Sequence, residues 1–433
     1  MSCRSICVNT SKDWYSASAW LKNRAKSGAE IETRVREILD AVATKGDAAL
    51  IDYTVSFDCE SFNHPIRIDE EDIAFAAASV SANDRDLIYR AADNIRSFHE
   101  KQKENSWFDT RPDGTILGQR ILPVGSVGLY VPGGQGGNTP LISTLLMNAI
   151  PAQTAGVQRI AICTPPRRDG TINPHILAAA HILNITEIYR VGGAWSIAAL
   201  AYGTESIRPV SVIAGPGNIY VTTAKRLVQG IVGIDMIAGP SEVLVIADGS
   251  ADVSILAADM LSQAEHDPLA SSICITTDKH LAEDLPQELM HQVQSLPRAD
   301  IAKQSLKDWG AVVYTESMSL AIEIANSIAP EHLELYTRDP WSLLPFIRNA
   351  GAIFLGANSP EPLGDYYAGP NHVLPTMGTA RFSSALSVQT FCKKSSIIAA
   401  SRSFLQSSIK DVAALARIEG LEAHARALEI RKR

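Results

Sequence analysis

From about residue 120 the chain repeats one pattern: a short β-rich apolar run, then a longer stretch with apolar positions three and four apart. The runs VGLYV, RIAIC, EIYRV, VSVIAG and EVLVIA have strand character. Between them, 141–155, 176–183, 196–202 and 219–228 have helical periodicity. The alternation resumes with SSICITT, AVVYT and AIFLG. It predicts βαβ units, mainly parallel pairing and two successive α/β sheets. Residues 1–115 read mainly as helices, for example 31–44 and 84–101. After about 387 the chain reads as helical again and ends in a charged helix over 411–433. A terminal helix pair outside the sheets suits a dimerisation arm.

Composition narrows the class. The 433 residues are too many for one core, and 46% hydrophobic with 20% charged is ordinary for a soluble globular protein. A net charge of −8 without a basic face disfavours nucleic acid as a partner. No apolar stretch reaches membrane-spanning length, and the N-terminal MSCRSICVNTSKDWY is too polar and interrupted for a signal peptide. Six cysteines without a framework suit a reducing cytoplasm.

Several stretches could carry chemistry. VIAGPGN (212–218) and MIAGPSE (236–242) each set Gly-Pro after an apolar run, and ligands collect at strand ends of this kind. GLYVPGGQGGN, from Gly128 to Asn138, lies between a strand and a helix, but no GxGxxG fingerprint occurs. SQAEHDP places Gln263 and His266 on one face of a helix end. IAPEHLELY sets Glu331 beside His332, an acid/base pairing. The irregular SPEPLGDYYAGPNHVLPT carries Asp365 and His372, and IEGLEAHARALEIR carries Glu419 and His424. Each, alone, also reads as ordinary structure: a solvated helix end, a long surface loop, a helix-exit loop. Together, one Gln, two His and one Asp form a nitrogen and oxygen donor set suited to Zn²⁺, Mn²⁺ or Co²⁺. None of these motifs contains cysteine, and no GxSxG elbow supports a serine nucleophile.

With these motifs in chain order, and with AGPGNIYVTTAKR, APEHLELYTRDP and TARFSSALSVQTF beside them, the sequence resembles the histidinol dehydrogenases over nearly its whole length. The resemblance implies oxidation of L-histidinol to L-histidine through histidinal, with NAD and one zinc per subunit. It implies zinc ligands Gln263, His266, Asp365 and His424, the last supplied by the partner in a domain-swapped homodimer. Glu331 and His332 match the catalytic pair. Ser241, Gln263, His266, His332, Asp365, Glu419 and His424 match substrate contacts, and Tyr130 and Asn218 match NAD contacts. Where the family commonly has Gln after VGGA, for NAD contact, this chain has Trp195, and its Gly loop is longer than in some members.

The fold class that goes with this is α/β: two incomplete Rossmann-like parallel-sheet domains with small N- and C-terminal helical arms. The expected division is a helical arm over 1–29, a metal and catalytic domain over 30–129 with 242–386, an NAD domain over 130–241, and a C-terminal arm over 387–433. A related dehydrogenase of another polar alcohol, such as a sulfonated propanediol, is the nearest rival. A sulfonate would want Arg or Lys where this chain keeps Glu419 and the donor set. A zinc hydrolase and a non-catalytic binding protein are the rivals from other classes.

Overall fold

A computed structural model describes residues 3–24, 28–133 and 139–432. It opens with β1 (Arg4–Cys7), α1 (Ser11–Ala17), α2 (Ala29–Lys45), α3 (Asp47–Phe57), α4 (Glu70–Ser79) and α5 (Ala82–Glu100). A hairpin follows, β2 (Trp107–Thr110) and β3 (Ile116–Pro123). The first alternating run is β4 (Ser126–Tyr130), α6 (Ile142–Ala155), β5 (Arg159–Thr164), α7 (Pro174–Ile182), β6 (Glu187–Arg190), α8 (Gly193–Tyr202), β7 (Val212–Ala214), α9 (Ile219–Val228) and β8 (Gly233–Ile234). The second begins β9 (Glu242–Ala247), α10 (Val253–Ala264), β10 (Ser271–Thr276), α11 (Lys279–Gln292), α12 (Ala299–Trp309) and β11 (Ala311–Tyr314). It continues α13 (Met318–Ile328), β12 (His332–Tyr336), α14 (Pro340–Leu343), β13 (Ala352–Leu355) and α15 (Glu361–Tyr366). The last elements are β14 (Cys392–Ala399), α16 (Arg402–Ile418) and α17 (Glu422–Glu429).

The chain divides into two compact units, Met1–Gln102 with Gly125–Phe391, and Lys103–Val124 with Cys392–Arg433. The larger unit holds both parallel sheets. One has the order β6-β5-β4-β7-β8, the other β1-β11-β10-β9-β12-β13. In each, the order reverses beside the first strand of its run, between β4 and β7 and between β9 and β12. These are the switch points where a doubly wound sheet opens a crevice.

The six-stranded sheet is buried on both faces, and the period-two geometry of a strand divides its side chains between two cores. Val243 and Val245 pack with Leu256, Met260 and Leu285 on one face. Leu244 and Ile246 pack with Leu333, Leu335 and Ile324 on the other. Each fully buried aliphatic side chain contributes roughly 1.5–3 kcal/mol, which makes β9 and β12 a rigid base for side chains at their ends.

Four features differ from the sequence reading. β1, placed there in a helical arm, is an edge strand paired in parallel with β11. Helices α2–α5, grouped there with 242–386, pack instead on α8, α9, α7 and α6 of the five-stranded sheet. Val35, Leu39 and Leu50 share a core with Tyr189 and Ile197, so apolar stripes on α2 and α3 choose this sheet. The smaller unit is not purely helical, since β14, β3 and β2 form an antiparallel sheet. Its terminal helix is also broken: Gly420, at φ +76°, separates α16 from α17.

Candidate active site

The ionisable groups lie at the amino ends of β9 and β12, the opposite end from the crevice that the switch point opens beyond the carboxyl ends. Helix α13 ends at Ile328, and Ala329 takes a left-handed conformation, φ +53°, before Pro330 turns the chain into β12. This delivers Glu331 and His332 into the interior, 6% and 3% exposed. The solvated helix-exit reading of IAPEHLELY is thereby excluded. His332 Nδ1 lies 2.9 Å from the Glu242 carbonyl oxygen, which can only accept, so Nδ1 carries a hydrogen. Nε2 then faces inward, 3.5 Å from Asp365 Oδ1 and 4.0 Å from Glu361 Oε1, with no aligned hydrogen-bond partner among the described residues.

These neighbours set the protonation states. Burial disfavours charge on His332, but Glu331, Asp365 and Glu361 outweigh it and hold the imidazole up at about 10. Burial pushes the Glu331 carboxyl up to about 8, opposed by the His332 charge. Asp365 goes the other way: its close approach to the His332 imidazole and the charge of His372 overcome burial and bring it down to about 2.

Helix α10 supplies the next donors. Asp252 caps its start, accepting from the Ser254 and Ile255 amides, and it ends at Ala264. Gln263 lies in its last turn, 1% exposed, with neither amide atom hydrogen-bonded among the described residues. His266 lies just beyond the helix end, and Glu265 between them is the C-cap. His266, Glu361 and Asp365 each present a ligand atom, and the three atoms lie within 4.8 Å of one another. A cluster of one histidine and two carboxylates, with a buried unpaired amide oxygen on the preceding helix turn, fits a divalent cation that takes nitrogen and oxygen ligands, such as Zn²⁺ or Mn²⁺. A cavity of about 340 Å³, lined in part by Phe354, Leu363, His372 and Leu386, opens onto His332 and Asp365.

The first switch point forms a different edge. Tyr130 ends β4, 4% exposed, and Asn218 stands exposed after β7, capping α9 by accepting from the Tyr220 and Val221 amides. The turn between β7 and α9 is braced from below. The Lys225 ammonium donates to the Gly215 carbonyl at 2.8 Å, and Asp235 accepts from the Gly215 amide at 2.9 Å. Gly215 has φ +122°, and a Cβ there would lie 2.1 Å from the Tyr130 carbonyl oxygen, so the close approach requires glycine.

The motif MIAGPSE does not end a strand as its echo does: it precedes β9. The Thr222 hydroxyl reaches both loops, 3.3 Å from the Gly217 carbonyl and 3.2 Å from that of Ala238. Trp195 is 6% exposed and stacks on Tyr53 and Phe57, with ring centroids 5.8 and 5.6 Å apart. Residues 134–138 of the Gly-rich motif lie outside the described residues.

The larger unit therefore gathers Ser241, Gln263, His266, Glu331, His332 and Asp365 around the amino ends of β9 and β12. Glu419 and His424 belong to the smaller unit, both exposed, at the C-cap of α16 and in α17. Two buried carboxylates that touch this site escaped the sequence reading. Glu361 is 1% exposed and accepts from the Ser262 hydroxyl at 3.1 Å. Glu242 opens β9 and pairs with the buried Arg24. A glutamate heading the apolar run EVLVIA was the available signal, since a charge in a buried strand needs partners.

Two doubly wound sheets, with a buried histidine–carboxylate pair and a cluster of possible cation donors at the amino ends of two neighbouring strands, define an α/β protein built for acid–base chemistry. The family model of histidinol dehydrogenase matches residues 21–432. The chain is 61% identical over 432 residues to the histidinol dehydrogenase of Oleidesulfovibrio alaskensis, covering 100% of both chains. It is likewise 61% identical over 427 residues to that of Nitratidesulfovibrio vulgaris, covering 98% of each. The crystal structure of histidinol dehydrogenase from Elizabethkingia anophelis superimposes with a TM-score of 0.93 at 37% identity, covering 99% of this chain and 98% of that one. The chain belongs to the histidinol dehydrogenase family, and so is an oxidoreductase of histidine biosynthesis that oxidises histidinol.

Proposed function

We propose that the chain carries L-histidinol to L-histidine through L-histidinal, in two NAD-dependent oxidations at one zinc-containing site. The observation that carries this reading is the convergence of ligand atoms from His266, Glu361 and Asp365, with the buried Gln263 amide left unpaired one helix turn before His266. Gln263, His266 and Asp365 would hold the zinc together with His424 of the partner subunit, in a cytoplasmic homodimer with shared sites. The exposure of His424 and Glu419 leaves both free to reach a second copy. When bound, the cation would supply a Lewis-acid anchor for the imidazole and amine of histidinol and, by its charge, disfavour a proton on His332. NAD would lie along the edge where Tyr130 ends β4 and Asn218 caps α9, with Trp195 shaping that edge through its stack, and would supply the hydride acceptor.

The chain's own residues do the rest. Ser241 and Glu419 would orient the substrate's polar groups. His332, with Nδ1 committed to the Glu242 carbonyl, offers Nε2 to take the hydroxyl proton as the carbinol carbon loses hydride. Glu331 then takes a proton from water as the water oxygen bonds to the aldehyde carbon. The aldehyde oxygen takes the proton His332 holds from the alcohol step, giving the gem-diol. Loss of a second hydride and of the hydroxyl and carboxyl protons leaves the carboxylate. Of the six free cysteines, none enters these motifs, which agrees with a route that uses no thiohemiacetal.

His332→Ala tests the division of labour. Bound zinc should stay stoichiometric while turnover falls by roughly 10²–10⁴. Loss of the metal in that variant would show that His332 had been given the wrong role.

A further inference from the structure

We propose that Glu242 is a positioning residue for the oxidation of histidinol: its carboxylate, held by Arg24, fixes the Glu331 carboxylate in the orientation that delivers water to the aldehyde. The proposal rests on the reading of Glu331 as the group that activates water.

Every polar atom of Glu242 is committed to the catalytic pair or its supports. Its amide donates to Glu331 Oε2 at 2.8 Å, and its carbonyl accepts from His332 Nδ1 at 2.9 Å. Its Oε2 accepts from the Glu331 amide at 3.2 Å. Its Oε1 accepts from the Met377 amide at 3.2 Å and pairs with the Arg24 guanidinium, which also donates to the Pro240 carbonyl at 3.2 Å. Glu242 and Glu331 thus exchange backbone-to-carboxylate hydrogen bonds across two neighbouring strands. One Glu331 oxygen is tied to β9, and the other is the one Glu242 does not engage.

Strand pairing alone does not call for this. The β9–β12 ladder already fixes register, with His332 opposite Val243. A buried ion pair stabilises a fold no better than apolar residues of the same volume. What Arg24 and Glu242 add is a fixed carboxylate beside Glu331, which also strengthens it as a base by like-charge repulsion.

The test compares the two half-reactions in the full-length protein, with L-histidinol and with L-histidinal supplied directly. Glu242→Ala should slow histidinal oxidation about 100-fold at saturation and the alcohol step less than about 10-fold, with KM and zinc content unchanged. Glu242→Gln, which keeps shape and one acceptor, should recover about 10-fold of that loss. The Glu242→Ala/Glu331→Ala double variant should be no slower than Glu331→Ala. Equal losses in both half-reactions that track loss of folded protein, or multiplicative losses in the double variant, would overturn the proposal. If Glu331→Ala oxidises histidinal as fast as the unmodified chain, the role given to Glu331 fails first.

Discussion

Replacing Gln263 with leucine should make the metal-free protein more stable and the zinc-loaded protein comparatively less so. The amide is 1% exposed, with both its oxygen and its nitrogen unpaired among the described residues. Each buried unsatisfied group costs roughly 1–3 kcal/mol, and an apolar side chain of similar size removes both penalties. After partial relaxation in the unmodified chain, a net gain of about 2 kcal/mol for metal-free Gln263→Leu is expected. Zinc at about 1,000 times its Kd should then stabilise the unmodified protein by about 4.1 kcal/mol. A variant whose affinity is cut about a thousandfold gains only ~0.4 kcal/mol. The order of stabilities therefore inverts between chelator and excess zinc, by about 2 kcal/mol each way. Differential scanning calorimetry of both proteins in EDTA and in zinc reads this directly. A leucine variant that melts below the unmodified protein in EDTA would mean the amide has partners and is not poised for a cation. Equal gains from zinc in both proteins would mean Gln263 is not a ligand.

Other outcomes follow from the same geometry. Burial and the charge of Asp259 push the Glu334 carboxyl up to about 8, above the ordinary value of 4.5, so its contribution to stability is present below about pH 4.5 and is lost as pH rises through 8. Glu334→Gln keeps the acceptor for the Glu361 amide, so it should raise the melting temperature more at pH 8 than at pH 5; equal shifts at both would refute this. Trp195→Gln should cost roughly 3 kcal/mol in denaturant unfolding, because it empties a buried stack on Tyr53 and Phe57; a near-neutral change would contradict that packing. Mixing the inactive variants His424→Ala and His332→Ala, with subunit exchange, should restore roughly a quarter of the sites, since one site of each mixed dimer is then intact. No recovery after confirmed exchange would rule out sharing of His424 between subunits.

Legibility in the sequence followed burial. Most central strands of the two parallel sheets read clearly because they are largely apolar, β9 and β10 being buried at every position. β2 is exposed at all its residues and β14 at most of them, so neither carries the alternation that marks a half-buried strand. β1 is four residues long and alternates only between half-buried and exposed. The donor motifs were visible as residue types. That His266 and Asp365 converge was not, because it depends on β9 and β12 becoming neighbours across a long crossover. Glu242 and Glu361 were harder still. Each is an ordinary glutamate in the sequence, and only burial against Arg24, Ser262 and His332 gives it a task.

The central claim is a four-electron oxidation at one site, and product stoichiometry tests it most directly. Zinc-loaded protein given limiting L-histidinol and excess NAD⁺ should form two NADH per histidinol consumed, with L-histidine as the final product. One NADH per histidinol with histidinal released, or turnover of a sulfonated diol and none of histidinol, would contradict the account.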